Sequence, residues 1–143
     1  MQRLIATVLL PLIVAGCNSL PPSAPVPDNL KPDGSLVMLT TWAARGAQLY
    51  DCRAKTDNPR ATEWVFVAPE ADLFDSRGVA AGKHYTGPHW EGLDGSKIVG
   101  EVKARTESPR PGAIPWLLMS AKSVGPTGAL AGVTSVQRIG TTG

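Results

Sequence analysis

From Leu36 onward the chain is cut by glycine, proline and Asn/Asp turn signals into short apolar runs, and none of these runs repeats its apolar positions at helical spacing with caps at its ends. Proline removes a backbone donor and fixes φ, and glycine weakens a helix interior. With 15 Gly and 13 Pro among 143 residues, short strands are favoured over long helices. "SLVMLTTWAA" and "AQLYDCR" read as two strands broken at Gly46, and "TEWVFVA" as a strand ended by Pro69. "KIVGEVKART" alternates: Ile98, Gly100, Val102 and Ala104 fall on one face, and Lys97, Val99, Glu101, Lys103 and Arg105 on the other. "WLLMSAKS" has the continuous apolar character of a fully buried strand, and "VTSVQRI" is the last strand. The pattern predicts an all-β domain over residues 35–143. About eight short antiparallel strands would form a sandwich or an irregular barrel. A hydrophobic content of 43% is enough to build a core.

The first residues carry an address rather than a fold. "MQRLIATVLLPLIVAGC" has one early cation, Arg3, then an apolar run from Leu4 to Val14, then the small residues Ala15 and Gly16. That is the layout of a secretory signal over residues 1–16. The run falls short of the roughly 20 residues a spanning helix needs, and Pro11 interrupts it. The ending "VAGC" resembles the lipobox of bacterial lipoproteins. The resemblance implies cleavage before Cys17 and attachment of acyl chains to it. Asn18 follows where an aspartate would retain a lipoprotein, so the same resemblance points to the outer membrane, with the domain on its periplasmic face. Loss of residues 1–16 takes Arg3 with it and leaves the charge close to balance. Attachment would therefore rest on lipid, and several acyl chains hold a protein stably where one does not.

Residues 17–34 then form a tether. Pro21, Pro22, Pro25, Pro27 and Pro32 fit a polyproline II segment that spaces a domain from a membrane surface. "VPDNL" fits equally a strand lying along the domain edge. The net charge of +2 is scattered, and the absence of a basic stripe argues against a nucleic-acid partner.

Candidate chemistry gathers in "KHYTGPHWEGLDGSKIVG", which holds both histidines. His84, Tyr85, His89, Trp90 and Glu91 are the candidate binding residues. Gly87-Pro88 is expected to bend a strand here, and Asp94-Gly95 to close a hairpin. In one straight strand His84 and His89 point to opposite sides, whereas a bend resets the phase, so spacing alone does not decide for a metal site. No H-x-H, H-E-x-x-H or G-x-S-x-G occurs, and no metal or cofactor is expected. Glu70 and Asp72 read as turn groups beside Pro69 rather than an acid/base pair. The chain has four tryptophans. They serve either as core filling or, at Trp90 with Tyr85, as the lining of a site for an apolar or sugar-like ligand oriented by the histidines.

Taken in order, "RGAQLYDC", "WVFVAPEADLFD", "HYTGPHWEGLDGSKIVG", "GAIPWLL" and "LAGVTSVQRI" resemble a bacterial and fungal family called domain of unknown function 3455. The resemblance runs from about Val26 to Gly143. It implies a secreted or envelope protein and no particular activity. It also implies that the cysteine matching Cys52 pairs with a later one, beyond the point that matches Gly143. This sequence shows no such residue, so it reads as a fragment or as a natural short form. Some fungal relatives carry a malate dehydrogenase label. No G-x-G-x-x-G and no βαβ pattern supports it here.

The sequence thus predicts an envelope lipoprotein, anchored to the membrane through Cys17, with a non-catalytic β-domain that binds a small molecule or an envelope protein. The competing reading is a hydrolase or metal-dependent enzyme built on the His84–Glu91 region.

Overall fold

The computed structural model describes residues 24–142. The signal segment, Cys17 and the first part of the tether lie outside the described residues. The elements are a short 3₁₀ turn, η1 (Asp28–Leu30), and seven strands: β1 (Ala43–Ala54), β2 (Thr62–Phe74), β3 (Ala80–Tyr85), β4 (His89–Gly92), β5 (Lys97–Thr106), β6 (Trp116–Ser123) and β7 (Ser135–Arg138). All pairings are antiparallel between consecutive strands, in the order β1-β2-β3-β4-β5-β6-β7. The all-β expectation holds. The described strands number seven and lie in one open sheet.

Several local readings change. Residues 36–42 lie outside any strand, and Gly46 sits inside a continuous β1 instead of ending one. Glycine is there because β1 runs tight against β2: a Cβ would lie 2.5 Å from Ala71 Cα. Strand β2 continues through Pro69 to Phe74, so Glu70 and Asp72 are strand residues. At Pro69 this strand has a partner only in β1, since pairing with β3 begins at Ala71. A one-sided strand is where proline is tolerated. Gly87-Pro88 does more than bend a strand. With Thr86 it forms the turn between β3 and β4, and Gly87 has φ +106°. Asp94-Gly95 closes the next hairpin as expected, with Gly95 at φ +81°.

Strand β5 carries a register shift between Val102 and Ala104. The extra residue flips the alternation, as a bulge does. Ala104 therefore leaves the face of Ile98 and Val102, and Arg105 joins it opposite Leu117.

The core centres on β5 and β6. Ile98, Leu117 and Met119 are buried on one face. Trp116 is buried on the other, where η1 docks. There Gln137 donates to the Leu30 carbonyl, and Asn29 donates to Thr106 Oγ1 at 3.1 Å. Leu30, expected in the tether, is completely buried. Ser96 is also fully buried, and its hydroxyl donates to Asp94 and accepts from the Leu130 amide. Those bonds tie the 93–95 turn to the loop before β7.

Candidate functional site: two faces of one hairpin

Residues directly opposite in neighbouring strands share a face of the sheet. Read across β1 to β5, one row is Gly46, Ala71, His84, Trp90, Ile98. The adjacent row is Arg45, Asp72, Lys83, Glu91, Lys97. Successive residues of a strand point to opposite faces. The five candidate residues are therefore divided. His84 and Trp90 lie on the apolar face, and Tyr85, His89 and Glu91 lie on the polar face.

On the apolar face the His84 and Trp90 rings stack at 4.4 Å between centroids, 14° from parallel. Trp90 lies over Gly100, where an added Cβ would approach the indole to 2.7 Å. The His84 ring is half-buried. Burial holds its pKa below the ordinary histidine value, a hydrogen bond to the His89 carbonyl opposes that shift, and the Arg138 charge adds to it. His84 Nδ1 lies 2.8 Å from that carbonyl oxygen. A carbonyl only accepts, so Nδ1 carries the hydrogen and Nε2 of the neutral ring keeps its lone pair.

On the polar face the Tyr85 and His89 rings stack at 5.4 Å. Tyr85 donates to Glu91 Oε2 at 2.6 Å, and Lys97 Nζ stands 3.0 Å from the same oxygen. The hydrogen bond from Tyr85, then that from Lys97, holds the Glu91 carboxyl below its usual pKa. A carboxylate kept ionised in this way is a poor proton donor at neutral pH. His89 Nδ1 is 2.6 Å from the Thr86 carbonyl oxygen. Both imidazoles thus spend one N–H on the backbone of the β3–β4 hairpin, at His89 and Thr86, which gives them a bracing role.

Charge alternates along the polar row: cation, anion, cation, anion, cation, one from each of five strands. Each carboxylate has cations on both sides. Next to this row, an open hollow of about 650 Å³ is lined by Arg45, Glu70, Asp72, Lys83, His84 and Tyr85, among others. The sequence marked Tyr85 here, read Asp72 as a turn group and Lys97 as one of a strand's charged face, and passed over Arg45 and Lys83. Nothing local announces these residues, because only the register of the strands brings them into line. Among the described residues, no three His, Cys, Asp or Glu side chains are grouped so as to hold a metal ion.

The third feature lies on the far part of the β1–β2 hairpin. Tyr50 and Phe66 meet edge to face at 5.6 Å, and Trp64 beside them is 71% exposed. Cys52, opposite Trp64, is exposed with its thiol unpaired among the described residues.

A family model described as Protein of unknown function (DUF3455) matches residues 32–143, most of the chain. The chain belongs to that family. All seven strands fall inside the matched stretch, whereas η1 lies before it. The family's description assigns no activity, so membership confirms the sequence resemblance and leaves the role to the site itself. No curated protein and no solved structure matches the chain.

Proposed function

We propose that this chain is a lipid-anchored protein of the bacterial envelope, held by Cys17, whose β-domain works by binding and carries no catalytic step. The observation that carries the binding reading is the separation of the candidate residues onto two faces. A general acid or base must come within hydrogen-bond reach of the same reacting group as its partner. His84 and Glu91 address opposite sides of the sheet, so they do not share a substrate. What the polar face offers is the hollow beside Tyr85, with an aromatic ring on one side and alternating charges along it. Such a surface suits a polar, sugar-like molecule that stacks on a ring and exchanges hydrogen bonds with charged groups. The anchor rests on the "VAGC" tetrad after the apolar run, and Asn18 after the cysteine supports a location on the periplasmic face of the outer membrane.

One observation favours the enzyme reading: His84 Nε2 retains a lone pair on a ring oriented from its other nitrogen. This is the posture of a general base. Ligand-observed NMR with a panel of envelope sugars tests both readings in the same tube. The binding reading predicts saturation transfer to a sugar, lost in Tyr85→Ala, with the sugar chemically unchanged. Turnover of the sugar that disappears in His84→Gln would replace binding by catalysis.

A further inference from the structure

The carboxylates around the polar-face hollow are not equivalent. Asp72 lies opposite Arg45 in β1 and Lys83 in β3, and Glu91 holds Tyr85 and Lys97. Glu70 is placed differently. Its partner in β1 is Ala47, and the β2–β3 ladder stops at the Ala71–His84 pair, one residue short of it. Tyr85 follows His84, so an aromatic ring faces Glu70 across the end of the ladder, on the same side of the sheet. Glu70 makes no ion pair among the described residues. Arg45 leans the other way, with its guanidinium 5.4 Å from the centroid of Phe74, which lies beyond Asp72. Lys83 stands between Asp72 and Glu91, with a carboxylate on each side. The ring of Tyr85 is fixed by its hydroxyl on Glu91 at 2.6 Å. His89 stacks on it from β4, and Lys97, 5.7 Å from its centroid, comes from β5. The face left open is the one turned to β2, where Tyr85 and Glu70 both line the hollow.

We infer, building on the binding function proposed above, that the ligand of this hollow is an amino sugar with a free ammonium group, which sits between the Glu70 carboxylate and the open face of Tyr85. An aromatic face attracts a cation through its quadrupole, and a carboxylate attracts it by charge. The two groups stand side by side here and serve the same positive atom. A neutral or N-acetylated sugar brings only hydroxyls and an amide to that place and gains neither attraction. Each contribution is modest at an exposed site, and together they amount to about a fivefold preference for the amine. The other charges do not oppose it. Lys83 is compensated on both sides, and Arg45 is drawn off toward Phe74. A volume of about 650 Å³ lies within the range of small-molecule sites and admits a sugar ring. Because Glu91 holds the ring before a ligand arrives, little ordering is needed on binding.

Ligand-observed NMR titrations of the full chain with glucosamine, N-acetylglucosamine and glucose test this, at about pH 6.5 where such an amine keeps its proton. Glucosamine should bind about fivefold more tightly than either neutral sugar. Glu70→Gln should erase that difference and leave glucose binding unchanged, and Glu70→Lys should place glucosamine below glucose. Glu70 is exposed, and glucose binding in each variant reports that the hollow is still folded. Glu101→Gln, which removes an exposed carboxylate from β5, should keep the preference and so separates a local contact from the overall charge. Equal binding of the three sugars to wild type, or a preference that survives in Glu70→Gln, would overturn the inference and leave the binding function standing. Binding of none of the three would overturn both.

Discussion

His84 shows how one side chain ties the fold to pH. Its ring is stacked on Trp90 and half withdrawn from water, and burial is the largest cause of its lowered pKa. The folded chain therefore binds this proton more weakly than the unfolded chain does. The stability that the neutral ring contributes is complete above the ordinary histidine range near 6.5 and declines as pH falls below it. The decline ceases below the folded-state pKa. One such group sets a limit of about 1.4 kcal/mol per pH unit. Urea melts at pH 7.5, 6 and 5 should show wild type losing stability over that interval and His84→Gln losing less; parallel losses would remove His84 as the cause. The sequence made His84 visible as a polar residue beside aromatics. It could not show which face the ring occupies, because the phase of the strand depends on whether Gly87-Pro88 bends it or ends it. The structure ends it there, and that turn fixes His84 and His89 on opposite sides.

At the scale of elements, the two turns around β4 differ in what glycine does. Gly95 has φ +81° and open space around its Cα, so a side chain there meets only backbone strain. Gly87 has φ +106°, and a Cβ would also drive into the His89 ring. Gly95→Ala is expected to cost about 1 kcal/mol, and Gly87→Ala more, since it adds displacement of the His89–Thr86 bond to the same strain. Equilibrium denaturation of the two variants checks the order, and the reverse order would contradict the bracing role of His89. Element identity was legible where alternation or apolar continuity is unbroken: β5 and β6 match their sequence segments end to end. It failed where tertiary pairing overrides a local breaker. Gly46 and Pro69 read as stops, yet both lie opposite or near each other in the β1–β2 ladder, which carries them through. The flip at Lys103 in β5 was equally hidden, since a bulge leaves composition unchanged and alters only which residues share a face.

At the scale of the whole molecule, two parts of the chain carry different information. The matched stretch specifies a sheet, and the proposed envelope address rests on the residues before it. Leu30 and Asn29 join the two parts, because they dock the end of the proline-rich segment on β5 and β7. A tether to the proposed anchor at Cys17 therefore ends before Asp28. Cys17→Ser is predicted to release the chain from the membrane fraction or to leave its signal segment uncleaved. Normal processing and membrane retention in that variant would remove the anchor from the account. The candidate site was legible as a cluster in sequence and illegible as an arrangement, since its division depends on where the β3–β4 turn falls and its charge row on the register of five strands.

That division is the claim on which the binding reading stands, and ring-to-ring NMR contacts measure it directly. The account predicts nuclear Overhauser effects between the His84 and Trp90 rings and between the Tyr85 and His89 rings, with none joining the Trp90 indole to the Tyr85 or His89 ring. Contacts linking the two pairs would place all four rings in one pocket and contradict it.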